Sequence, residues 1–238
     1  DHEHESVSKT LEYAFDDACI ARYASAHDRP DLASRFAKRA ASWKNLAHPE
    51  TGFIQAKRQG AWVEGFDPRE VNFNFTEANG WQYLFAPVHD VAGQRDILGG
   101  DEGYLARLTA LFEAPIQTTG RVQPDITGLI GQYAHGNEPS HHVAYLATYS
   151  GDPGATAERV SALCRDMYAN TPDGLCGNED CGQMSAWFVW SALGMYPVEP
   201  GSGEVVLGTP MFNRAVVLPD GASHPTDIRA RGLNDRAK

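Results

Sequence analysis

Residues 6–27 read SVSKTLEYAFDDACIARYASAH, and this stretch indicates the fold class of the chain. Its apolar side chains recur mostly at steps of three and four residues, the spacing of one face of an α-helix. These side chains are Val7, Leu11, Ala14, Phe15, Ala18 and Tyr23. Residues 28–30 break the pattern, and a second apolar stripe follows at Leu32, Phe36, Ala40 and Trp43. Because helices with so short a connection usually pack side by side, the sequence predicts an antiparallel hairpin.

Helical spacing continues through most of the chain. Further helices are predicted at residues 76–85, 102–112, 140–149, 155–168 and 183–193. Residues 52–75 lack clean periodicity and are predicted to form a long loop, a feature that is usually functional in a compact domain. After Pro197, short β-branched runs at 205–207, at 215–218 and from Thr226 onward are typical of strands. The sequence therefore predicts a mainly α fold, a helical toroid built from hairpins, with a short C-terminal β segment.

The composition excludes several classes of protein. The chain has 238 residues and a formal net charge of −11, from 31 acidic and 20 basic side chains. Because an acidic surface repels phosphate groups, nucleic acid and anionic membrane surfaces are not expected as partners. No apolar run approaches the roughly 18 residues that a membrane-spanning helix needs, so membrane insertion is not expected either. The hydrophobic content of 42% is enough for a packed core.

The four cysteines form no CxxC pair, which argues against a structural zinc site. Cys176 and Cys181 lie five residues apart in a glycine-rich loop and could either pair or remain free thiols. Cysteine usage therefore leaves the redox compartment open. The chain begins at Asp1 without a signal peptide and stops soon after a predicted strand, so we expect it to be a piece of a longer protein.

The first of three polar segments, residues 74–83, reads NFTEANGWQY. Thr76 could cap the predicted helix and would place Glu77 in its first turn. Glu77 could then simply complement the helix dipole. Alternatively, Trp81 and Tyr83 could strip water from its carboxyl group, raise its pKa and allow it to act as an acid.

The second polar segment, residues 134–142, reads AHGNEPSHH. Asn137 and Glu138 offer the oxygen ligands that Ca²⁺ prefers. His141 and His142 are adjacent and would point to different sides of a helix, so they would chelate a transition metal poorly together. The alternative is a capped helix start with surface histidines.

The third polar segment, residues 172–187, reads PDGLCGNEDCGQMSAW. Its glycines would allow the backbone to approach a ligand closely. Alternatively, the segment is a solvated acidic turn, although an apolar helix follows it at once. Hydrolysis of a glycoside requires two carboxyl groups. Glu77 and Asp180 could supply them, but only the fold can bring them together.

Three runs within these segments, FTEANGWQY, HGNEPSHH and GNEDCGQMSAW, closely resemble the C-terminal catalytic domain of glycoside hydrolase family 92. That family comprises calcium-dependent exo-acting α-mannosidases. Residues 6–17 and 194–203 fit it as well, so the likeness covers nearly the whole chain. The resemblance implies an N-terminal β-sandwich joined to an (α/α)6 barrel. Residues 1–198 would form part of that barrel, residues 199–238 would begin a C-terminal β extension, and the β-sandwich would lie outside this chain.

The resemblance also implies a mechanism, namely inverting exo-hydrolysis of α-mannosidic linkages, with α-1,2 linkages in mannose-containing glycans as the expected substrates. Glu77 would be the general acid and Asp180 the general base, with Asn178 beside the base. Trp81 and His135 are weaker candidates for contacts with the sugar.

By the same resemblance, Ca²⁺ would bind near Asn137 and Glu138 and hold the cis 2- and 3-hydroxyl groups of mannose. The retained Glu77 favours ordinary mannosides over mannose-phosphate linkages. Asn178 stands where some members carry Asp, which weakens a two-aspartate picture of the base. A secreted or periplasmic location is expected. The alternative function is an inactive or sugar-binding piece of such an enzyme.

Overall fold

The computed structural model describes residues 3–218 and 220–232. Within them lie six α-helices: α1 Ser6–Ala26, α2 Pro30–Ala40, α3 Val91–Ile97, α4 Gly100–Glu113, α5 Pro153–Asp166 and α6 Gln183–Ala192. Four 3₁₀ helices join them at Ala41–Leu46, Val88–Asp90, Glu138–Ser140 and Val143–Ser150. No helix in these two ranges is long and apolar enough to cross a membrane.

The strands described are short and pair two by two. Their bounds are β1 Lys57–Arg58, β2 Ala61–Trp62, β3 Glu70–Val71, β4 Thr119–Gly120, β5 Leu129–Ile130, β6 Tyr133–Ala134, β7 Met195–Tyr196, β8 Val206–Leu207, β9 Arg214–Val217 and β10 Thr226–Arg229. Strands β3 and β4 are parallel, whereas the other four pairs are antiparallel. The predicted β texture after Pro197 is thus confirmed, as β8 and the β9–β10 hairpin.

The predicted helical hairpin is confirmed as α1 and α2. Nε of Arg39, near the end of α2, donates to Asp17 in the middle of α1 at 2.8 Å. Asp17 and Arg39 each lie nine residues from the turn between the helices, so the helices run antiparallel. Val7 and Leu11 point into the core, but Tyr23 is exposed, and its assignment to the buried face was wrong.

The helix predicted at residues 76–85 does not form, and that prediction was wrong. Glu77 has a left-handed backbone, with φ of 49°, which no right-handed helix can contain. Oδ1 of Asn79 then accepts from the backbone nitrogens of Trp81 and Gln82 at 3.1 and 3.2 Å. Because this side chain takes the place of helical carbonyl groups, the segment folds into successive turns.

The helix predicted at 140–149 exists as the 3₁₀ helix Val143–Ser150. The backbone nitrogen of Thr148 donates to the hydroxyl of Thr156 at 3.2 Å, outside the helix itself. Residues 143–147 are buried on every side. Packing against α5 has therefore replaced the regular α-helical pattern.

The remaining helices match α4, α5 and α6 within a few residues, and residues 52–75 contain only two-residue strands. Helix α3 was not predicted. Asp90 caps it by accepting from the nitrogen of Gly93 at 2.9 Å, and the same carboxylate binds Trp43 and Lys44. Helix α3 is therefore anchored to the segment that follows the hairpin.

Two apolar clusters form the core. The smaller packs α1 and Trp43 against residues 54–56 and 75–83, and the larger surrounds Trp187 and Tyr145. The mainly helical class is confirmed. The (α/α)6 toroid and the boundary at residue 198 remain predictions.

Candidate active site

A cavity of about 360 Å³ lies where the two apolar clusters meet, and all three polar segments contribute to its wall. Its polar and charged lining residues are Glu12, Thr76, Glu77, Asn137, Glu138, His141, His142 and Gln183. Its apolar lining includes Leu11, Phe15, Tyr83, Tyr196 and Val198. A mixed wall of this kind suits a small ligand that carries both hydroxyl groups and apolar faces.

Glu77 sits on a backbone that is held from both sides. The nitrogen of Thr76 donates to the hydroxyl of Ser8 in α1 at 2.8 Å, and the carbonyl of Glu77 accepts from Nδ2 of Asn137 at 2.9 Å. Partial desolvation raises the pKa of the Glu77 carboxyl, and the charges of Asp125 and Asp180 raise it further. The structure therefore places Asp180 close enough to Glu77 for its charge to act on the Glu77 carboxyl.

Glu138 follows Asn137 on the same wall. Desolvation raises the pKa of the Glu138 carboxyl, and the negative charges of Asp180 and Glu77 add to that rise. Glu77, Glu138 and Asp180 thus form a group of three carboxyl groups, each from a different polar segment. Mutual repulsion in such a group raises the pKa of its members.

In the loop before α6, the neighbouring acidic side chains of Glu179 and Asp180 have different roles. Glu179 accepts from the backbone nitrogens of Gly182 and Ser185, and it therefore caps the start of α6. Asp180 and Cys181 both have left-handed backbones, with φ of 54° and 55°. This turn places Asp180 near the carboxyl groups of Glu77 and Glu138. The carboxylate of Glu179 instead binds the start of α6.

Close backbone packing joins the second and third polar segments. A β-carbon on Gly136 would lie 1.8 Å from Oγ1 of Thr127, and one on Gly177 would lie 2.4 Å from the same atom. Only glycine fits at both positions. The loop around Thr127 therefore fixes the distance between the segment of Asn137 and the segment of Asp180.

Residues 1–237 match the family model described as the glycosyl hydrolase family 92 catalytic domain. The chain belongs to glycosyl hydrolase family 92. This assignment agrees with the resemblance carried by the three polar segments.

Solved structures of the same family are similar to this family 92 chain. An α-mannosidase from Bacteroides thetaiotaomicron in complex with mannoimidazole is 39% identical, with a TM-score of 0.86 over 90% of this chain and 29% of its own. An inverting mannosidase from the same species is 37% identical, with a TM-score of 0.80 over 92% of this chain and 31% of its own.

A curated relative from Arthroderma benhamiae, described as an uncharacterized secreted glycosidase, is 25% identical over 87% of this chain and 28% of its own length. The chain spans about a third or less of each of these relatives.

His135 of this family 92 domain is buried and does not line the cavity. The hydroxyl of Tyr168 donates to the carbonyl of Met184, so it accepts from Nε2 of His135 at 2.8 Å. Nδ1 of His135 then accepts from the hydroxyl of Tyr133 at 2.8 Å. Burial lowers the pKa of His135 to about 3, so the ring is neutral. Both ring nitrogens of His135 are therefore bound inside the protein, to Tyr133 and Tyr168.

His141 lines the cavity instead. Its Nε2 donates to the carbonyl of His135 at 2.9 Å, and its Nδ1 accepts from the amide of Gln183 at 3.1 Å. Trp187 donates to the carbonyl of His141 at 3.0 Å. Burial lowers the pKa of His141, so this ring is also neutral.

Trp81 does not line the cavity. Its ring packs edge-on against Phe53, with the centroids 4.8 Å apart. Asn178 is exposed, and its amide lies 3.4 Å from the carboxylate of Asp125. Of the predicted site residues, Glu77, Asn137 and Glu138 line the cavity, whereas Trp81, His135, Asn178 and Asp180 do not. Their catalytic, metal-binding and substrate-binding roles remain predictions.

Two acidic residues near the cavity were not identified from the sequence. Glu12 of α1 lines it, and burial raises the pKa of its carboxyl group, helped by the charge of Asp16. Asp125 lies close enough to affect the pKa of Glu77. The matching run at residues 6–17 could have drawn attention to Glu12, whereas no motif in the sequence pointed to Asp125.

The donor chemistry at Asn137 and Glu138 suits a cation that prefers oxygen. Nδ2 of Asn137 is engaged with Glu77, which leaves Oδ1 as the atom that can coordinate. Among the described residues, no three His, Cys, Asp or Glu side chains are arranged to hold a metal ion by themselves. Water or ligand hydroxyl groups would therefore have to complete the six to eight oxygens typical of Ca²⁺.

The four cysteines are free thiols in this structure. Cys176 is partly buried, whereas Cys181 is exposed at the turn that carries Asp180. A β-carbon on Gly128 would lie 2.6 Å from the sulfur of Cys176. Cys176 therefore packs tightly against the loop of Thr127.

Proposed function

We propose that the protein containing this family 92 domain hydrolyses α-mannosidic linkages in mannose-containing glycans. The observation that carries the proposal is that Glu77 and Glu138 line one cavity, with Asp180 close enough for its charge to raise the pKa of both. Family membership favours a hydrolase over the alternative of a sugar-binding piece without activity. The names of the two bacterial relatives support mannose as the sugar.

In this proposal Glu77 is the general acid. The upward direction of its pKa shift suits a group that donates a proton to the oxygen of the leaving group. Asp180 is the general base that removes a proton from the attacking water. Inversion of the anomeric centre requires the two carboxyl groups to stand about 6.5–9.5 Å apart, with the water between the base and the sugar. The name of one relative, an inverting mannosidase, supports this stereochemistry.

We assign Ca²⁺ to the wall formed by Asn137 and Glu138. Oδ1 of Asn137 and the carboxylate of Glu138 would hold the ion. When bound, it would coordinate the cis 2- and 3-hydroxyl groups of mannose and relieve the repulsion between Glu138 and Asp180. Asn178 would contact the substrate or the attacking water from the rim of the cavity.

Further parts of the proposal concern the whole protein. We propose exo-action on α-1,2 linkages, an (α/α)6 barrel completed by an N-terminal β-sandwich, and a secreted or periplasmic location. The description of the fungal relative as secreted supports the last of these.

The test uses the full-length gene product and α-1,2-mannobiose. Nuclear magnetic resonance would follow the anomeric protons of the released mannose, and inversion predicts the β-anomer first. A chelator should abolish hydrolysis, and added Ca²⁺ should restore it. Release of the α-anomer would overturn the inverting mechanism, whereas hydrolysis that ignores the chelator would overturn the calcium role.

A further inference from the structure

Asn137 makes an unusual contact for an asparagine. It is buried, at 4% exposure, and immediately precedes the 3₁₀ helix Glu138–Ser140. At such a position an asparagine side chain usually accepts a hydrogen bond from the first turn of the helix. Asn137 makes no capping bond, and its Nδ2 donates instead to the carbonyl of Glu77 at 2.9 Å, 60 residues away in the sequence.

Glu77 needs such support. A left-handed backbone is unfavourable for a residue with a β-carbon, and Glu77 is held in that region with φ of 49°. The flanking residues Phe75 and Ala78 are buried in the smaller apolar cluster, so the ends of the turn are fixed. The carbonyl of Glu77 is the group whose direction would change if the residue relaxed to a negative φ.

The turn that carries Asn137 is rigid enough to provide this support. The nitrogen of Asn137 donates to the carbonyl of Ala134, and the nitrogen of Ser140 donates to the carbonyl of Asn137, both at 3.2 Å. The hydroxyl of Ser140 accepts from the nitrogen of Ala134 at 3.1 Å. Gly136 is packed directly against Thr127. The amide of Asn137 is therefore a fixed donor.

We propose that Asn137 is a positioning residue for the general acid: its Nδ2 holds the carbonyl of Glu77 and thereby the left-handed turn that keeps the carboxyl group at the cavity. This role is separate from coordination through Oδ1 of the same amide. The inference rests on the proposed function, because it assumes that Glu77 protonates a leaving group. A misplacement of about 1 Å at a catalytic group can lower the rate roughly 10²-fold.

The test compares Asn137→Asp with the wild-type full-length protein on two substrates. The variant keeps the size of the side chain and an oxygen for a cation, but it replaces the donor by an oxygen that repels the Glu77 carbonyl. One substrate is α-1,2-mannobiose, whose leaving group needs a proton. The other is 2,4-dinitrophenyl α-mannoside, whose leaving group departs without one. Asn170→Asp, at an exposed position outside the cavity wall, makes the same chemical change as a control.

We expect Asn137→Asp to lower kcat on mannobiose about 10²-fold, with KM little changed, and to lower kcat on the dinitrophenyl mannoside less than about 3-fold. The control should match the wild type on both substrates. Equal losses on both substrates would show that Asn137 acts on the sugar or the cation, and would overturn the positioning role. No loss on either substrate would overturn it as well.

A crystal structure of Asn137→Asp provides a readout that is independent of activity. We expect φ of Glu77 to move to the negative region and its carboxyl group to leave the cavity wall. An unchanged left-handed Glu77 would overturn the inference even if the enzyme is an active mannosidase. A wild-type protein that hydrolyses neither substrate would instead overturn the proposed function, and the inference with it.

Discussion

Glu77 and Asp180 have nearly the same backbone conformation, with φ of 49° and 54°, but different supports. The turn of Asp180 is held locally, because Glu179 next to it caps α6. The turn of Glu77 is held from a distance, by Ser8 of α1 and by Asn137. One carboxyl group therefore depends on its own segment and the other on the tertiary structure. Predictions that affect the two supports separately can test this difference.

The largest expected effect distinguishes the roles of Glu77 and Asp180. It compares substrates whose leaving groups do and do not need a proton. Glu77→Gln should lower kcat/KM on α-1,2-mannobiose about 10²–10⁴-fold but have little effect on 2,4-dinitrophenyl α-mannoside, because that leaving group needs no proton. Asp180→Asn should slow both substrates to a similar extent, because water must be activated in each case. Initial rates of the full-length protein on both substrates provide the measurement. The same leaving-group dependence in both variants would contradict the division into acid and base.

The second effect concerns Asn137, the distant support of the Glu77 turn. Gly136→Ala would place its β-carbon 1.8 Å from the hydroxyl oxygen of Thr127, so the turn carrying Asn137 must shift. We expect a loss of roughly 1–3 kcal/mol in the free energy of unfolding, measured with urea. Gly154→Ala in α5 is the matched control, since its β-carbon would meet no atom closer than 3.4 Å. A control variant that loses as much stability as Gly136→Ala would contradict this explanation.

The third effect depends on pH and concerns His142, which contacts the segment that carries Glu77. Nε2 of His142 donates to the carbonyl of Phe85 at 2.8 Å, at the end of the segment that begins with Thr76. Burial lowers the pKa of His142 to about 4 from the ordinary 6.5. The neutral ring therefore stabilises the fold fully above pH 6.5, and this contribution is lost as the pH falls from 6.5 toward 4. The loss should be about 1.4 kcal/mol per pH unit in that window.

Urea unfolding at pH 7.5 and 5.0 measures this loss. His142→Gln removes the titrating ring but keeps a donor for Phe85, so we expect a smaller change in stability between the two pH values than in the wild type. An identical pH dependence in both proteins would assign the loss to other groups.

The smallest effect concerns the local support. Glu179→Gln keeps an oxygen that can accept from Gly182 and Ser185 but removes the charge that favours the start of α6. We expect a small fall in the melting temperature and unchanged kcat on the dinitrophenyl mannoside. Glu64→Gln, at an exposed position in the long loop, is the control. A large loss of activity would show that Glu179 takes part in the chemistry.

Local patterns were sufficient for several parts of the fold and the site. The apolar spacing in residues 6–27 predicted the hairpin because three- and four-residue steps place side chains on one helix face. The same reasoning located α4, α5 and α6. The three polar segments predicted that Glu77, Asn137, Glu138 and Asp180 belong to one site, since their residue types and order match a known family.

The sequence could not give the features that depend on distant contacts. The helix expected at 76–85 was lost because Asn79 and Asn137 replace its internal hydrogen bonds with other partners. His135 resembled a sugar contact, but its ring is bound by the neighbouring Tyr133 and by Tyr168, 33 residues away. Asp125 became visible as a neighbour of Glu77 only when the fold brought its loop to the cavity.

The sequence by itself thus determined the helical hairpin, the family and the carboxyl groups of the candidate site, because each follows from residue type and short-range spacing. The tertiary structure alone decided how these carboxyl groups face one another, which histidines are buried and how the Glu77 turn is held. The physical reason is that a left-handed backbone and a shifted pKa are set by hydrogen bonds and charges from residues far away in the chain. Asn137, 60 residues from Glu77, is the clearest example of such a contact.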